Sequence, residues 1–172
     1  MLQQSLNKGG IMREITTVTK VYFFNELNEE QQQKAIDNYR DINTDHKWYD
    51  FIFEEAIHYF GIEILKFDLY RGQSIEIEPI ETLSSTAIKM KEKLDKNGEV
   101  IEYANNYLKS LYNDINQNKT DKDDYQEIFL DELRHYFWNE LNEEYEYLTG
   151  KEAIKETLIA NEYEFTQDGK IF

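Results

Sequence analysis

Short segments of the chain alternate between apolar and polar residues, which is the period of a half-buried β-strand. The clearest case is Ile75 and Ile77, each followed by a glutamate, which predicts one buried and one solvated face. The pair Arg71-Gly72 just before them suits a hairpin turn, and Asp168-Gly169 suits a second turn near the C-terminus. The strands predicted in this way are residues 15–24, 63–70, 73–79, 162–166 and 170–172.

Other segments repeat apolar residues at the 3.6-residue period of an amphipathic α-helix. Asn28 and Gln31 have the spacing of a capping box, which marks the start of the first helix. Gly61 is placed to end the second helix, and Ser84 or Ser85 to cap the third. The predicted helices are approximately residues 29–39, 44–60, 85–96, 100–115, 123–148 and 151–160.

Together these elements predict a helix-rich α+β fold, in which an antiparallel sheet of four to five strands has five to six helices packed on it. With 172 residues and no linker-like stretch, residues 1–172 are predicted to form a single domain. Two interpretations of residues 1–11 stay open. They are either a flexible polar leader, or a translated ribosome-binding site ahead of a native start at Met12, because Lys8-Gly9-Gly10 can be encoded by such a site.

The composition combines a strong negative charge with abundant material for a core. Asp and Glu total 35 against 19 Lys and Arg, which gives a net charge of −16. A chain so charged would be disordered without apolar residues, but 13 Tyr, 10 Phe and 2 Trp supply a core. Such a surface repels nucleic acid and membranes and attracts basic protein clefts, and the absence of Cys fits a reducing compartment.

Two Glu-x-x-His pairs are the sharpest enzymatic signal. Glu55 with His58, and Glu132 with His135, each place both side chains on one helical face, as in carboxylate-bridged di-iron bundles. The neighbouring residues on both faces are polar, however, whereas a di-iron site points into a bundle core. Phosphate-binding glycine loops and nucleophile motifs are also absent from the sequence. We therefore predict no catalytic residues, no metal site and no cofactor.

The longest predicted helix has acidic residues opposite its leucine and phenylalanine stripe. Clustered carboxylates can approach the charge density of DNA, and neighbouring aromatic residues can anchor a protein partner. The alternative is an ordinary solvated acidic face whose aromatic residues are covered by packing within the protein. The predicted partner-binding residues are the carboxylates Asp124, Glu127, Asp131, Glu132, Glu143 and Glu146 and the aromatic residues Trp138 and Tyr145.

Two segments resemble a family of small acidic proteins from phages and prophages. Residues 20–55 contain FNELNEEQQQKA followed by YRDINTDHKW, and residues 161–172 (NEYEFTQDGKIF) are similar to the family's closing segment. Members are mostly uncharacterised, and some are labelled antitoxin-like. The resemblance implies a mobile-element gene whose product acts in the bacterial cytoplasm, and it implies no active-site residues.

The acidic surface and this resemblance together predict a non-enzymatic inhibitor of a bacterial defence nuclease, of the anti-CRISPR or antirestriction type. Its carboxylates would mimic DNA in a basic nucleic-acid groove of the host protein. It would bind neither nucleic acid nor membrane, and a homodimer is left open. The alternatives are an antitoxin-like binder of a small toxin and a carboxylate-bridged di-metal enzyme.

Overall fold

The computed structural model describes residues 18–94, 98–117 and 122–172, without the side chains of residues 114–117, 122 and 123. This part of the chain has the predicted helix-rich α+β class. Both interpretations of residues 1–11 concern residues outside it. Its helices are α1 (Glu29–Asn38), α2 (Asp50–Glu55), α3 (Leu83–Lys93), α4 (Glu99–Gln117), α5 (Lys122–Leu148) and α6 (Lys151–Ala160). Its strands are β1 (Tyr22–Phe23), β2 (Ile62–Asp68), β3 (Ser74–Pro79) and β4 (Glu164–Phe165).

The predicted single sheet of four to five strands does not form among these residues. Instead β1 pairs with β4, and β2 with β3, in two separate antiparallel sheets of two strands each. The N-terminal strand shrinks to two residues because the chain turns into a short 3₁₀ helix at Phe24–Glu26. Residues 15–17 of that predicted strand lie outside the described part of the chain. β-branched composition indicates a pleated, half-buried surface, but it does not specify how many strands will join.

Residue contacts divide the chain into two compact units, Met1–Asn38 with Leu158–Phe172 and Tyr39–Thr157. In the first unit, Tyr22 faces Phe165 and Phe23 faces Glu164 across the β1–β4 pair. The predicted capping box of α1 is confirmed. The Gln31 backbone N–H donates to Asn28 Oδ1 at 2.9 Å, and the Asn28 N–H donates to Gln31 Oε1 at 3.0 Å.

The turn before the C-terminus depends on Gly169, whose φ of +75° is a conformation that side chains with a Cβ rarely adopt. A Cβ there would lie 2.6 Å from the Ala35 nitrogen and 2.9 Å from the Lys34 carbonyl carbon, both backbone atoms that cannot rotate away. We therefore expect Gly169→Ala to lower the free energy of unfolding by about 2–3 kcal/mol. Thermal unfolding followed by circular dichroism measures this change, and an unaltered melting temperature would contradict it.

In the second unit, the predicted helix at residues 44–60 begins later, at Asp50, and its last turn, Ala56–Phe60, is a π-helix. Gly61 ends it in the left-handed conformation, as predicted, with a φ of +66°. The α3 helix is capped by Thr82, not by Ser84 or Ser85. The Thr82 hydroxyl accepts the Ser85 N–H at 3.3 Å.

The core of the second unit forms where α5 packs on α4 and on β3, and α3 packs on α4 and on the π-helix. Its large, fully buried side chains include Ile62, Met90, Phe129, Leu133 and Leu141. The β2–β3 hairpin contributes its inner face, with Ile75 buried and Ile77 half-buried between exposed glutamates, as predicted. Among the described residues, none of the helices combines the length and apolar content needed to cross a membrane.

Candidate protein-binding surface

The rotation of α5 about its axis is set by four buried side chains spaced four residues apart. Burying this stripe against α4 and β3 turns the opposite side of the helix outward. Leu130 and Leu148, which belong to the leucine and phenylalanine stripe predicted from the sequence, are half-buried. The four residues of the stripe are Phe129, Leu133, Phe137 and Leu141.

The outward side of α5 carries the carboxylates predicted from the sequence. Glu132 is half-buried, and the other five are exposed. Arg134 is the single Lys or Arg in residues 124–148, and its guanidinium pairs with Asp131. Between residues 124 and 148, the remaining carboxylates therefore have no second basic residue beside them. The five exposed residues are Asp124, Glu127, Asp131, Glu143 and Glu146.

The linear charge density of this row can be compared with that of DNA. From Asp124 to Glu146 the helix rises about 33 Å, at 1.5 Å per residue. Six carboxylates over that length are on average about 6 Å apart, with a gap of about 16 Å between Glu132 and Glu143, compared with about 3.4 Å per phosphate along one DNA strand. The α5 row thus has about half the charge density of one DNA strand. Full mimicry of a duplex would need carboxylates from other elements.

Both aromatic residues predicted as exposed anchors are half-buried. The Trp138 indole N–H donates to the Asp68 carbonyl oxygen at 3.3 Å. The Tyr145 ring lies 5.7 Å from that of Trp48, and its hydroxyl is hydrogen-bonded to that of Tyr70. Packing within the protein therefore covers much of both side chains, as the alternative interpretation held.

Tyr70 is an exposed aromatic residue next to α5 that the sequence interpretation missed, as it missed the exposed Tyr125 and Tyr147 on α5 itself. It lies in the turn between β2 and β3, retains 70% of its exposure and is hydrogen-bonded to α5 through Tyr145. This hydrogen bond, followed by burial, raises the pKa of Tyr70 to about 12. A tyrosine directly before Arg71-Gly72 was the available signal, because an aromatic residue at a hairpin tip has few neighbours that could cover it.

A groove of about 420 Å³ lies beside α5 and is called here the acidic groove. None of its described lining residues is Lys or Arg, whereas His135 and Asn139 do line it, and they also line a second groove of about 340 Å³ that contains Arg134. The carboxylates of the acidic groove are Glu99, Glu132 and Glu140, and its other walls include Leu94, Val100 and Tyr136.

Glu140 is a carboxyl group of this surface whose pKa is shifted by its surroundings. Partial desolvation of its carboxylate raises its pKa, and the nearby charges of Glu143 and Glu55 raise it further. Burial, followed by the charges of Glu140 and Glu55, raises the pKa of Tyr136 to about 12. The groove therefore holds negative charge at some cost to the folded state, because the Glu140 carboxylate is partly desolvated and lies near two other carboxylates.

This cost predicts a pH-dependent effect of replacing Glu140 with glutamine. Because the pKa of Glu140 is raised in the folded state, the folded protein binds this proton more tightly than the unfolded chain does. The free energy of unfolding therefore falls as the pH rises from the ordinary pKa of 4.5 through the raised pKa of the folded state. Glu140→Gln removes the penalty, so the variant should gain stability over the parent at pH 7 and show no gain at pH 4. Urea unfolding at both pH values measures this, and an equal gain at both would contradict it.

The residues of the two Glu-x-x-His pairs differ in exposure. Glu55 and His58 are exposed at the junction of α2 and the π-helix, whereas Glu132 is half-buried and His135 is exposed on α5. Within residues 18–94, 98–117 and 122–172, no three His, Asp or Glu side chains form a group that could hold a metal ion.

Comparison with models of known protein families, with curated proteins and with solved structures found no match to this chain. The similarity to the phage and prophage family therefore stays an expectation from the sequence. What the protein does is inferred below from the geometry and charge of its own surface.

Proposed function

We propose that this protein is an inhibitor of a bacterial defence nuclease and acts by occupying a basic nucleic-acid groove of that enzyme. The observation that carries the proposal is the row of carboxylates on α5, where eight acidic residues face one Arg between residues 124 and 148. A row of this kind is attracted to surfaces rich in Lys and Arg and repelled by nucleic acid itself. The phage origin and the bacterial cytoplasm as its place of action belong to the same proposal.

The mechanism is steric occlusion with electrostatic steering. The exposed carboxylates take positions that phosphates occupy in the nuclease, and their field speeds the encounter at low salt. Since the α5 row has about half the charge density of one DNA strand, it fits a site for a single strand better than a duplex channel. Tyr70 supplies an exposed aromatic edge beside the row, where it can pack on the partner.

The acidic groove adds a receptor for an individual cation. A Lys or Arg side chain of the nuclease that enters it would meet Glu132 and Glu140 over an apolar wall, and no Lys or Arg is among the groove's described lining residues. Charge-assisted hydrogen bonds in such a partly desolvated position are stronger than those between exposed groups. The proposal therefore predicts that binding lowers the raised pKa of Glu140.

The test is a DNA-cleavage assay with a panel of CRISPR effector nucleases and restriction enzymes, each incubated with the purified protein before DNA is added. We expect at least one enzyme to be inhibited, with less inhibition as the salt concentration rises, because salt screens the attraction between exposed charges. Unimpaired cleavage by every enzyme at low salt, or inhibition that salt leaves unchanged, would contradict the proposal. A complex with one small basic toxin in place of a nuclease would support the antitoxin-like alternative.

A further inference from the structure

A second groove, in the first unit, differs in character from the α5 surface. It has a volume of about 410 Å³ and is called here the apolar groove. Its deepest residues are Phe24 and Leu158, which are 2% and 0% exposed, and its walls include Phe23, Ile159 and Tyr163. The volume falls in the range of small-molecule and peptide pockets, which are mostly apolar with a few polar groups.

Two exposed phenylalanines extend the apolar surface beside this groove. Phe23 faces Glu164 across the β1–β4 pair, and the Phe172 N–H donates to the Glu164 carbonyl oxygen at 2.9 Å. Cross-strand neighbours project to the same face of a sheet, so these three residues form one row. Phe23 retains 50% and Phe172 74% of its exposure. Exposed apolar side chains bordered by polar residues are typical of sites that bind a protein partner.

The charge around the apolar groove indicates whether a second copy of this chain or a basic segment of another protein would bind there. Glu26 and Glu162 line it, Glu164 lies in the adjoining row, and the lining residues within the described part of the chain include no Lys or Arg. The Glu26 carboxylate accepts the Phe23 N–H at 2.9 Å, which holds it at the rim. A second copy of this chain would carry its own net charge of −16 to this site and be repelled. A basic segment is attracted instead.

We propose that the apolar groove binds a segment of a partner protein in which leucine or phenylalanine side chains are flanked by lysine or arginine. The apolar side chains fill the space over Phe24 and Leu158, and the flanking cations meet Glu26 and Glu162. The burial of apolar surface supplies the attraction, and the carboxylates set the register and exclude acidic sequences. This site lies outside α5 and does not depend on the proposed inhibition of a nuclease.

The test is an NMR titration of the full chain, labelled at its backbone amides and at its Leu and Ile methyl groups. The probe is the peptide acetyl-Lys-Leu-Phe-Lys-amide, with acetyl-Glu-Leu-Phe-Glu-amide and acetyl-Lys-Gly-Gly-Lys-amide as controls. We expect the basic apolar peptide to cause saturable shifts at Leu158 and Ile159. The acidic peptide should bind about tenfold more weakly, because it places like charges together. The glycine peptide should cause no saturable shift at these methyl groups, because it lacks the apolar side chains.

Matched variants distinguish binding in the apolar groove from non-specific binding to other exposed apolar side chains. Phe23→Ala should weaken binding of the basic apolar peptide about fivefold, whereas Phe51→Ala, which removes an equally exposed ring from α2 (48%), should leave it unchanged. Glu162→Gln should reduce the preference for the basic peptide over the acidic one. Equal binding of both peptides by the parent chain, or no saturable shift at Leu158 and Ile159, would overturn the proposal. Shifts at these methyl groups that grow with protein concentration alone would overturn it in favour of a second copy.

Discussion

Replacing Phe137 with alanine is expected to lower the free energy of unfolding by about 3–5 kcal/mol, because the cavity left in a close-packed core cannot collapse fully. Phe137 is 2% exposed, and its ring meets that of Phe60 edge-on, with the ring centroids 6.0 Å apart. It also belongs to the buried stripe that sets the rotation of α5. The substitution therefore weakens both the core and the element that presents the acidic row.

Urea unfolding followed by tryptophan fluorescence measures this loss, since both tryptophans, Trp48 and Trp138, lie in the second unit. Phe51→Ala is the matched control, because it removes the same ring from an exposed position and should change stability by no more than about 0.5 kcal/mol. A loss below about 1 kcal/mol for Phe137→Ala would mean that the packing of α5 on the π-helix contributes little to stability.

Reversing three exposed charges on α5 is expected to weaken inhibition of the target nuclease about thirtyfold or more. The variant is Glu127→Lys, Glu143→Lys and Glu146→Lys, all at exposed positions. Each reversal removes an attraction of about 0.2–1 kcal/mol and adds a repulsion of similar size. Asp131 is left in place, since its removal would also release Arg134 from its ion pair. The concentration that gives half-maximal inhibition in the cleavage assay measures the effect.

The matched control reverses three exposed glutamates elsewhere in the same unit, Glu78, Glu92 and Glu156. Both variants change the net charge equally, so a purely general electrostatic attraction would weaken them alike. We expect the control to lose no more than about threefold, because surface charges outside an interface act mainly through the long-range field. Equal losses in the two variants would place the binding surface outside α5.

Several local features of the fold follow from the sequence because they depend on residues only a few positions apart. The capping box at Asn28 and Gln31, the left-handed end at Gly61 and the alternation around Ile75 were each predicted and each formed. The cap of α3 was placed at Ser84 or Ser85, two or three residues beyond Thr82. Several hydroxyl residues in succession offer equivalent caps, and packing of the helix selects one of them.

The candidate site was predicted in part. Periodicity alone predicted that the carboxylates of α5 face outward, because burial of the apolar stripe leaves only the opposite side of the helix to solvent. It could not show that Trp138 donates to Asp68 or that Tyr145 meets Tyr70, since these partners lie about 70 residues away in the chain. Nor could it reveal the raised pKa of Glu140, which follows first from burial of the carboxylate in the folded protein and then from the charges of Glu143 and Glu55.

The sequence by itself therefore determined that the protein is a helix-rich α+β protein with an acidic, outward-facing side on its longest helix. Helical periods, caps and hairpin turns are decided by neighbours along the chain, so their residues carry the information locally. The tertiary structure alone decided that β1 pairs with β4, that two sheets form where one was expected, and that grooves open beside α5 and over Leu158. Those features depend on which distant surfaces meet, and propensity and periodicity do not encode that choice.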